Sequence, residues 1–166
     1  MGCEQDQALG RSRGGFGTKL HLVTDSQGIP LAALLTPGQR HESTCFETLM
    51  DTVCLQGPRG RPLRRPKRIA ADKAYSQPRI RRWLRAHDIR AVIPQRSDQL
   101  RQHRGRPLNF DPRAYRRRNQ VERCVGRLKD FRRLSTRYDK YADSFLAMFD
   151  LARTRLYLKL VLSNTP

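Results

Sequence analysis

Two carboxylates stand out by what surrounds them. Asp72 ends a short apolar run, Ile69-Ala-Ala-Asp72, that reads as a buried β-strand, and Glu122 is a lone acid in a row of arginines. Magnesium and manganese take oxygen ligands, commonly one or two carboxylates together with phosphate oxygens and water. A pair of such ions about 4 Å apart activates an attacking oxygen and stabilises the leaving one in phosphoryl transfer. Cations beside the acid could then hold DNA phosphates in place. These residue types allow metal-dependent phosphodiester chemistry on DNA. A structural ion pair between Glu122 and Arg118 competes as the explanation of that acid.

The element that must position Glu122 runs from Asp111, which suits an N-cap, through Pro112, which suits a first helical residue. Tyr115, Arg118, Glu122 and Lys129 follow at offsets of 3, 7 and 14. At about 100° per residue one long helix would bring all four within a sector of roughly 60°. Val121, Cys124, Val125 and Leu128 form an apolar stripe beside them, so the helix is expected to bury one face and carry the polar row along its edge.

Asp72 is positioned by a different device. After Lys73-Ala-Tyr75, Ser76 is expected to open a helix with Ile80, Trp83, Leu84 and His87 on one face, His87 being a core-edge histidine. Ile89 to Ile93 is a second short strand, stopped by Pro94. Strand, helix and strand with about a dozen residues of crossover is the signature of a parallel βαβ unit. Functional groups in open α/β sheets gather beyond the carboxyl ends of strands, where Asp72 lies.

The rest of the chain supplies scaffold and charge. Residues 1–17 carry little hydrophobic pattern and end in Gly10-Arg-Ser-Arg-Gly-Gly-Phe-Gly17, whose order does not fit a phosphate-binding loop. Residues 1–13 read as a flexible basic lead-in. Thr18–Thr24 and Pro30–Thr36 are joined by the turn Asp25-Ser-Gln-Gly28, which predicts a β-hairpin and gives Asp25 a turn role. His21 and His41 lack spaced partners and read as structural or surface residues. Thr44 and Glu47 have the spacing of a capping box before a helix bearing Phe46, Leu49, Met50 and Val53. Residues 56–68 form a Pro/Gly/Arg loop with six cations and no acid between Arg59 and Arg68. A second basic loop, residues 95–110, contains Arg96, Arg101, Arg104 and Arg106 and is closed by Pro107. A last helix, from about Ser144 to Leu160, packs Phe145, Met148, Phe149, Ala152 and Leu156 into the core.

Lysine and arginine number 34 against 15 acids, a formal charge of +19 in 166 residues with a pI near 11.2. That balance points to a polyanion partner, nucleic acid before a membrane surface, since no long apolar run is present. The length suits one domain. Cys3, Cys45, Cys54 and Cys124 have no zinc-site spacing, and with no signal peptide expected they read as reduced thiols of a cytoplasmic protein.

Four segments together resemble the DDE transposases of bacterial insertion sequences, of the type-four and type-five families. They are Gly10-Arg-Ser-Arg-Gly-Gly-Phe-Gly-Thr-Lys19, Ala71-Asp-Lys-Ala-Tyr75, the Tyr115/Arg118/Glu122/Lys129 spacing, and Arg132-Arg-Leu-Ser-Thr-Arg-Tyr-Asp-Lys140. The resemblance covers residues 10 to about 160 and implies an α/β fold, an RNase H-like mixed sheet flanked by helices, with residues 14–162 forming a partial catalytic domain. It implies three carboxylates holding two magnesium (or manganese) ions for strand cleavage and transfer in DNA transposition. Asp72 matches the second carboxylate and Glu122 the third, both catalytic and metal-binding. Tyr115, Arg118, Lys129, Arg132, Arg133 and Arg137 match the positions expected to bind DNA. The implied partners are transposon-end and target DNA, a homo-oligomer when complete, and no membrane.

In the family the first aspartate ends a strand upstream of the Gly/Arg segment, whereas nine residues precede Gly10 here. Glu4 and Asp6 lie there, but neither follows an apolar strand and neither is assigned. The chain therefore reads as truncated at its N-terminus, either the second frame of a frameshifted transposase or a decayed fragment. An incomplete metal site and an unpaired sheet edge beside the 18–24 strand are expected, and the upstream portion of the enzyme becomes a candidate partner. The alternative reading is a non-catalytic basic DNA-binding remnant or regulator of the full-length enzyme.

Overall fold

The computed structural model describes residues 7–57, 60–63, 65–101 and 108–163. The chain forms two compact units, Met1–Arg40 with Gln120–Pro166, and His41–Asn119.

The first unit is built on an antiparallel sheet of three strands in chain order, β1 (Gly10–Ser12), β2 (Gly15–Thr24) and β3 (Pro30–Pro37). Within the segment read as a lead-in, β1 pairs with the start of β2, Gly10 opposite Gly17. The expected β2–β3 hairpin forms, with Leu20 opposite Leu35, Leu22 opposite Ala33 and a register irregularity at Val23/Thr24. Its turn forms because Asp25 Oδ1 accepts the amides of Gln27 at 2.9 Å and Ile29 at 2.8 Å while Gly28 takes φ +78°. That conformation is open to glycine without Cβ strain. Leu20, Leu22 and Ala33 pack on a core of Cys124, Leu128, Phe149 and Ala152, with Phe131, Leu134 and Leu156 around it. His21 and Thr36 are buried and joined, Nε2 to Oγ1, at 2.7 Å. His21 is thus the structural residue its isolation suggested.

The second unit holds the parallel pair. Strands β6 (Arg68–Ala70) and β7 (Arg90–Val92) run parallel, Ile69 opposite Ala91, linked by helix α2 (Pro78–Ala86). Proline opens α2, two residues after the expected Ser76, because its missing N–H is one the first turn cannot satisfy anyway. The helix ends in a Schellman turn: Asp88 adopts φ +55° and the Ile89 amide returns to Leu84 O at 2.9 Å. Ile80 and Leu84 are fully buried, and Phe46 meets Trp83 edge-on at 5.6 Å. His87 stacks on Trp83 at 3.9 Å, at the core edge as expected. A short hairpin, β4 (Leu55–Gln56) with β5 (Pro62–Leu63), lies in the loop expected over 56–68. Helix α3 (Ser97–Arg101) lies in the second basic loop. Arg59, Arg64, Arg104, Arg106 and Pro107 fall outside the described residues, as do Cys3, Glu4 and Asp6.

Two expectations are corrected. Helix α1 (Phe46–Asp51) has no capping box, because a 3-10 turn over Glu42–Cys45 precedes it and the Thr44 hydroxyl donates instead to His41 O at 2.7 Å. The long helix from Asp111 is broken into α4 (Pro112–Arg116), α5 (Asn119–Lys129) and α6 (Arg132–Ser135). Among the described residues the strands form three small sheets alongside the helices, in keeping with the α/β class. Helix α7 (Ala142–Ser163) ends the unit, with Phe145, Phe149 and Ala152 inward as expected.

Candidate functional site

Asp72 lies two residues past β6, beyond the carboxyl end of the parallel pair. It is exposed, and its Oδ1 accepts the Lys73 amide at 2.5 Å, capping a 3-10 turn over Lys73–Tyr75. The carboxylate is therefore held by its own turn and not by a core contact. Tyr75 packs on Phe46 at 5.9 Å. Burial, and then the neighbouring Cys45, Glu42 and Asp72, pushes its phenol far above the ordinary range, so it stays protonated. On α2, Arg79 ion-pairs with Glu47 at 3.2 Å and donates to Ser43 O at 2.8 Å. Arg81 donates to Ile93 O at 2.8 Å. Arg79 thus ties α2 to α1 and the turn before it, and Arg81 ties α2 to the chain just after β7.

The signature residues divide between the two units. Asp111 caps α4 as expected, its Oδ1 accepting the Arg113 and Ala114 amides at 3.0 Å each. The Ala114 amide, before other causes, holds the Asp111 carboxyl below the usual range. The helix then tightens into i→i−3 bonds, Arg117 N to Ala114 O at 3.3 Å and Arg118 N to Tyr115 O at 2.8 Å, and stops. Arg113 lies three and four residues before Arg116 and Arg117, where like charges repel along a helix, and Asn119 is a poor helix-interior residue, so both disfavour continuing α4. Tyr115 and Arg118 remain together, the guanidinium 5.5 Å from the ring centroid. Glu122 and Lys129 share α5, seven residues apart and both exposed, which places them about 20° from one another on that helix. Cys124 and Leu128 bury the opposite stripe, while Val125 is exposed. Glu122 in the first turn and Lys129 in the last also suit the helix dipole. Asp72 and Glu122 belong to different units.

Arg132 and Arg133 are exposed on α6, Arg133 within 3.8 Å of Met148 Sδ. Arg137 is half-buried and donates to backbone carbonyls within its unit. Two arginines that the pattern did not single out do similar work. Arg127 donates to Gly28 O at 2.5 Å, and Arg153 to Leu31 O at 3.0 Å, tying α5 and α7 to the hairpin. No spacing rule marks them, because their acceptors are backbone oxygens about a hundred residues away.

Asp72 and Glu122 present hard oxygen donors in exposed positions, which fits the ligand chemistry of magnesium or manganese. Among the described residues no three His, Cys, Asp or Glu side chains gather to hold a metal.

A transposase DDE domain, as a family model, matches residues 4–156. The chain belongs to that family. One curated relative, from Burkholderia cepacia, is named as a candidate transposase for insertion sequence element IS402. It is 39% identical over 128 residues, which is 76% of this chain and 56% of the relative. A second, from Brucella ovis, carries the same description for element IS6501 and is 29% identical over 142 residues, 86% of this chain and 98% of that protein. The chain thus spans about half the length of the Burkholderia relative and nearly all of the Brucella one. No solved structure matches. Among the described residues no helix is long and apolar enough to cross a membrane.

Proposed function

We propose that this member of the DDE family is the DNA-cutting portion of an insertion-sequence transposase, RNase H-like in its complete form. The observation that carries the reading is Asp72, an exposed carboxylate beyond the carboxyl end of a parallel βαβ unit, inside a segment matched to a transposase domain. Asp72 and Glu122 would hold two divalent magnesium or manganese ions with a further carboxylate. Bound there, the ions would supply Lewis-acid charge at the phosphoryl oxygens and lower the pKa of an attacking water. Asp72 stays oriented through its bond to the Lys73 amide. Glu122 and Lys129, on one side of α5, present an acid for the reacting centre and a cation for the phosphates beside it. Tyr115, Arg118, Arg132 and Arg133 bind the backbone of the transposon end. Water cuts the phosphodiester at that end, and the freed 3′-hydroxyl then attacks target DNA. The upstream portion of the enzyme and a second copy are the protein partners of this reading, in the cytoplasm.

The test is cleavage of transposon-end DNA, with magnesium or manganese, by this chain joined to its natural upstream sequence. Glu122→Gln is expected to abolish cutting, and undiminished cutting by that variant would refute the assignment.

A second reading, a non-catalytic basic regulator, is favoured by the +19 charge. It expects DNA affinity that falls steeply with salt and ignores Asp72→Asn and Glu122→Gln. Affinity independent of salt would exclude it.

A further inference from the structure

Arg137 lies in the basic Arg132–Lys140 segment, where a phosphate contact is the first expectation. Its guanidinium instead faces inward. Nη2 donates to Gln7 O at 2.8 Å and to Lys140 O at 3.2 Å, Nε donates to Asp139 O at 3.0 Å, and Nη1 donates to Thr18 Oγ1. The group also lies 5.7 Å from the ring centroid of Phe145. An arginine has five N–H donors in a fixed fork. Four bonds to protein acceptors leave little of that fork for a phosphate.

The other partners converge on the same short stretch. The Thr18 hydroxyl donates to Ala8 O at 2.6 Å, and the Ala142 amide donates to Gln7 Oε1 at 3.1 Å. Ala8 is buried at φ +49°, a conformation that a residue with a Cβ keeps only when its surroundings over-determine it. The residues immediately before β1 are therefore fixed from three sides, with Arg137 bridging them to Thr18 in β2 and to the Asp139–Lys140 turn before α7.

We propose that Arg137 is a positioning residue that clamps Gln7–Ala8 and so fixes the chain at its entry to β1. The clamp stands on the geometry alone. Its consequence for catalysis rests on the transposase reading, in which upstream residues bring the first carboxylate to Asp72 and Glu122.

Hydrogen exchange on Arg137→Gln and Arg137→Lys in the full chain tests it. Both variants are expected to exchange faster by about tenfold or more in peptides covering residues 7–17, with little change in peptides from the middle of α7. Lysine is expected to fail as a replacement because a single ammonium cannot reproduce the planar fork. The salt slope of DNA binding is expected to stay the same in both. A phosphate contact behaves oppositely: Arg137→Gln lowers the slope by about 0.9 and Arg137→Lys restores it. That pattern, or unchanged exchange over residues 7–17, overturns the clamp. Should Arg137→Gln not fold, Thr18→Val removes one acceptor and the bond to Ala8 O. Faster exchange confined to residues 7–17 then supports the clamp, and unchanged exchange overturns it. In the chain joined to its upstream sequence, Arg137→Lys is expected to lower the cleavage rate while DNA affinity is kept. An unaltered rate beside a loosened 7–17 segment overturns the positioning role. A wild type that never cuts counts against the transposase reading and leaves the exchange result to judge the clamp.

Discussion

Gly28→Ala is expected to destabilise the first unit by about 1–5 kcal/mol, from two separable causes. Gly28 has φ +78°, where an alanine costs about 1–2 kcal/mol. Loss of glycine's freedom in the unfolded chain offsets about 0.4–1 kcal/mol of that. The second cause is space. A Cβ at Gly28 would come within 2.8 Å of Arg127 Nη2 and 2.9 Å of Gln120 O. The guanidinium can swing aside, but the Gln120 carbonyl belongs to the first turn of α5. Forcing it away is overpacking, which typically costs about 1–3 kcal/mol. Urea denaturation at constant m-value measures the sum. Gly28→Asn separates the causes, since asparagine tolerates the left-handed region but carries the same Cβ. It should be milder than alanine by about 1 kcal/mol. In an Arg127→Ala background the Gly28→Ala penalty should shrink, because one of the two obstructing atoms is gone. Gln120 stands two residues before Glu122, so under the proposed function the displaced turn should also slow cleavage. A Gly28→Ala protein within about 0.5 kcal/mol of wild type, the range of neutral surface changes, would refute this account of the turn.

Three further outcomes follow from the packing. Phe149→Ala, at a residue 1% exposed in the centre of the first core, should cost about 3–5 kcal/mol in urea denaturation. Thr36→Val takes the hydroxyl partner from His21 inside the unit and should cost about 1–3 kcal/mol, largely recovered when His21→Phe is added. Asp111 titrates below its ordinary range because the Ala114 amide, followed by the Arg113 amide and Arg90, favours the carboxylate against partial burial. Its folded pKa is depressed, so its capping contribution is present above the unfolded aspartate pKa and is lost as pH falls through the folded value. Protection of α4 amides should fall across that acid window in wild type, and be lower and free of that step in Asp111→Ala.

What the residues disclosed in advance was the local chemistry. The Asp25–Gly28 turn, the alternation around Leu20 and Leu22, and the strand–helix–strand order around α2 are each set by short local stretches of sequence, and all three appear as expected. The Asp111 cap was equally plain. The reach of its helix was not: the offsets of Tyr115, Arg118, Glu122 and Lys129 suit a common face only if the helical period continues, and Arg117–Arg118 interrupt it. The duties of Arg127, Arg137 and Arg153 were hidden for another reason. A guanidinium that serves distant backbone carbonyls and one that awaits a phosphate are the same letter in a basic segment. Only the acceptors, brought up by tertiary folding, tell them apart. Carboxylates carry the same ambiguity. The end of β6 singles out Asp72, whereas Glu122 is singled out by its place in the signature.

The most direct measurement compares cutting with binding in the chain joined to its upstream sequence. Nicking of a labelled transposon-end duplex is followed with magnesium or manganese for wild type, Asp72→Asn and Glu122→Gln, and the affinity of each for the same duplex is measured without nicking. If the two carboxylates are members of the catalytic set, each substitution removes nicking by about three orders of magnitude or more while affinity stays within a few-fold of wild type. Nicking that survives either substitution would contradict the claim.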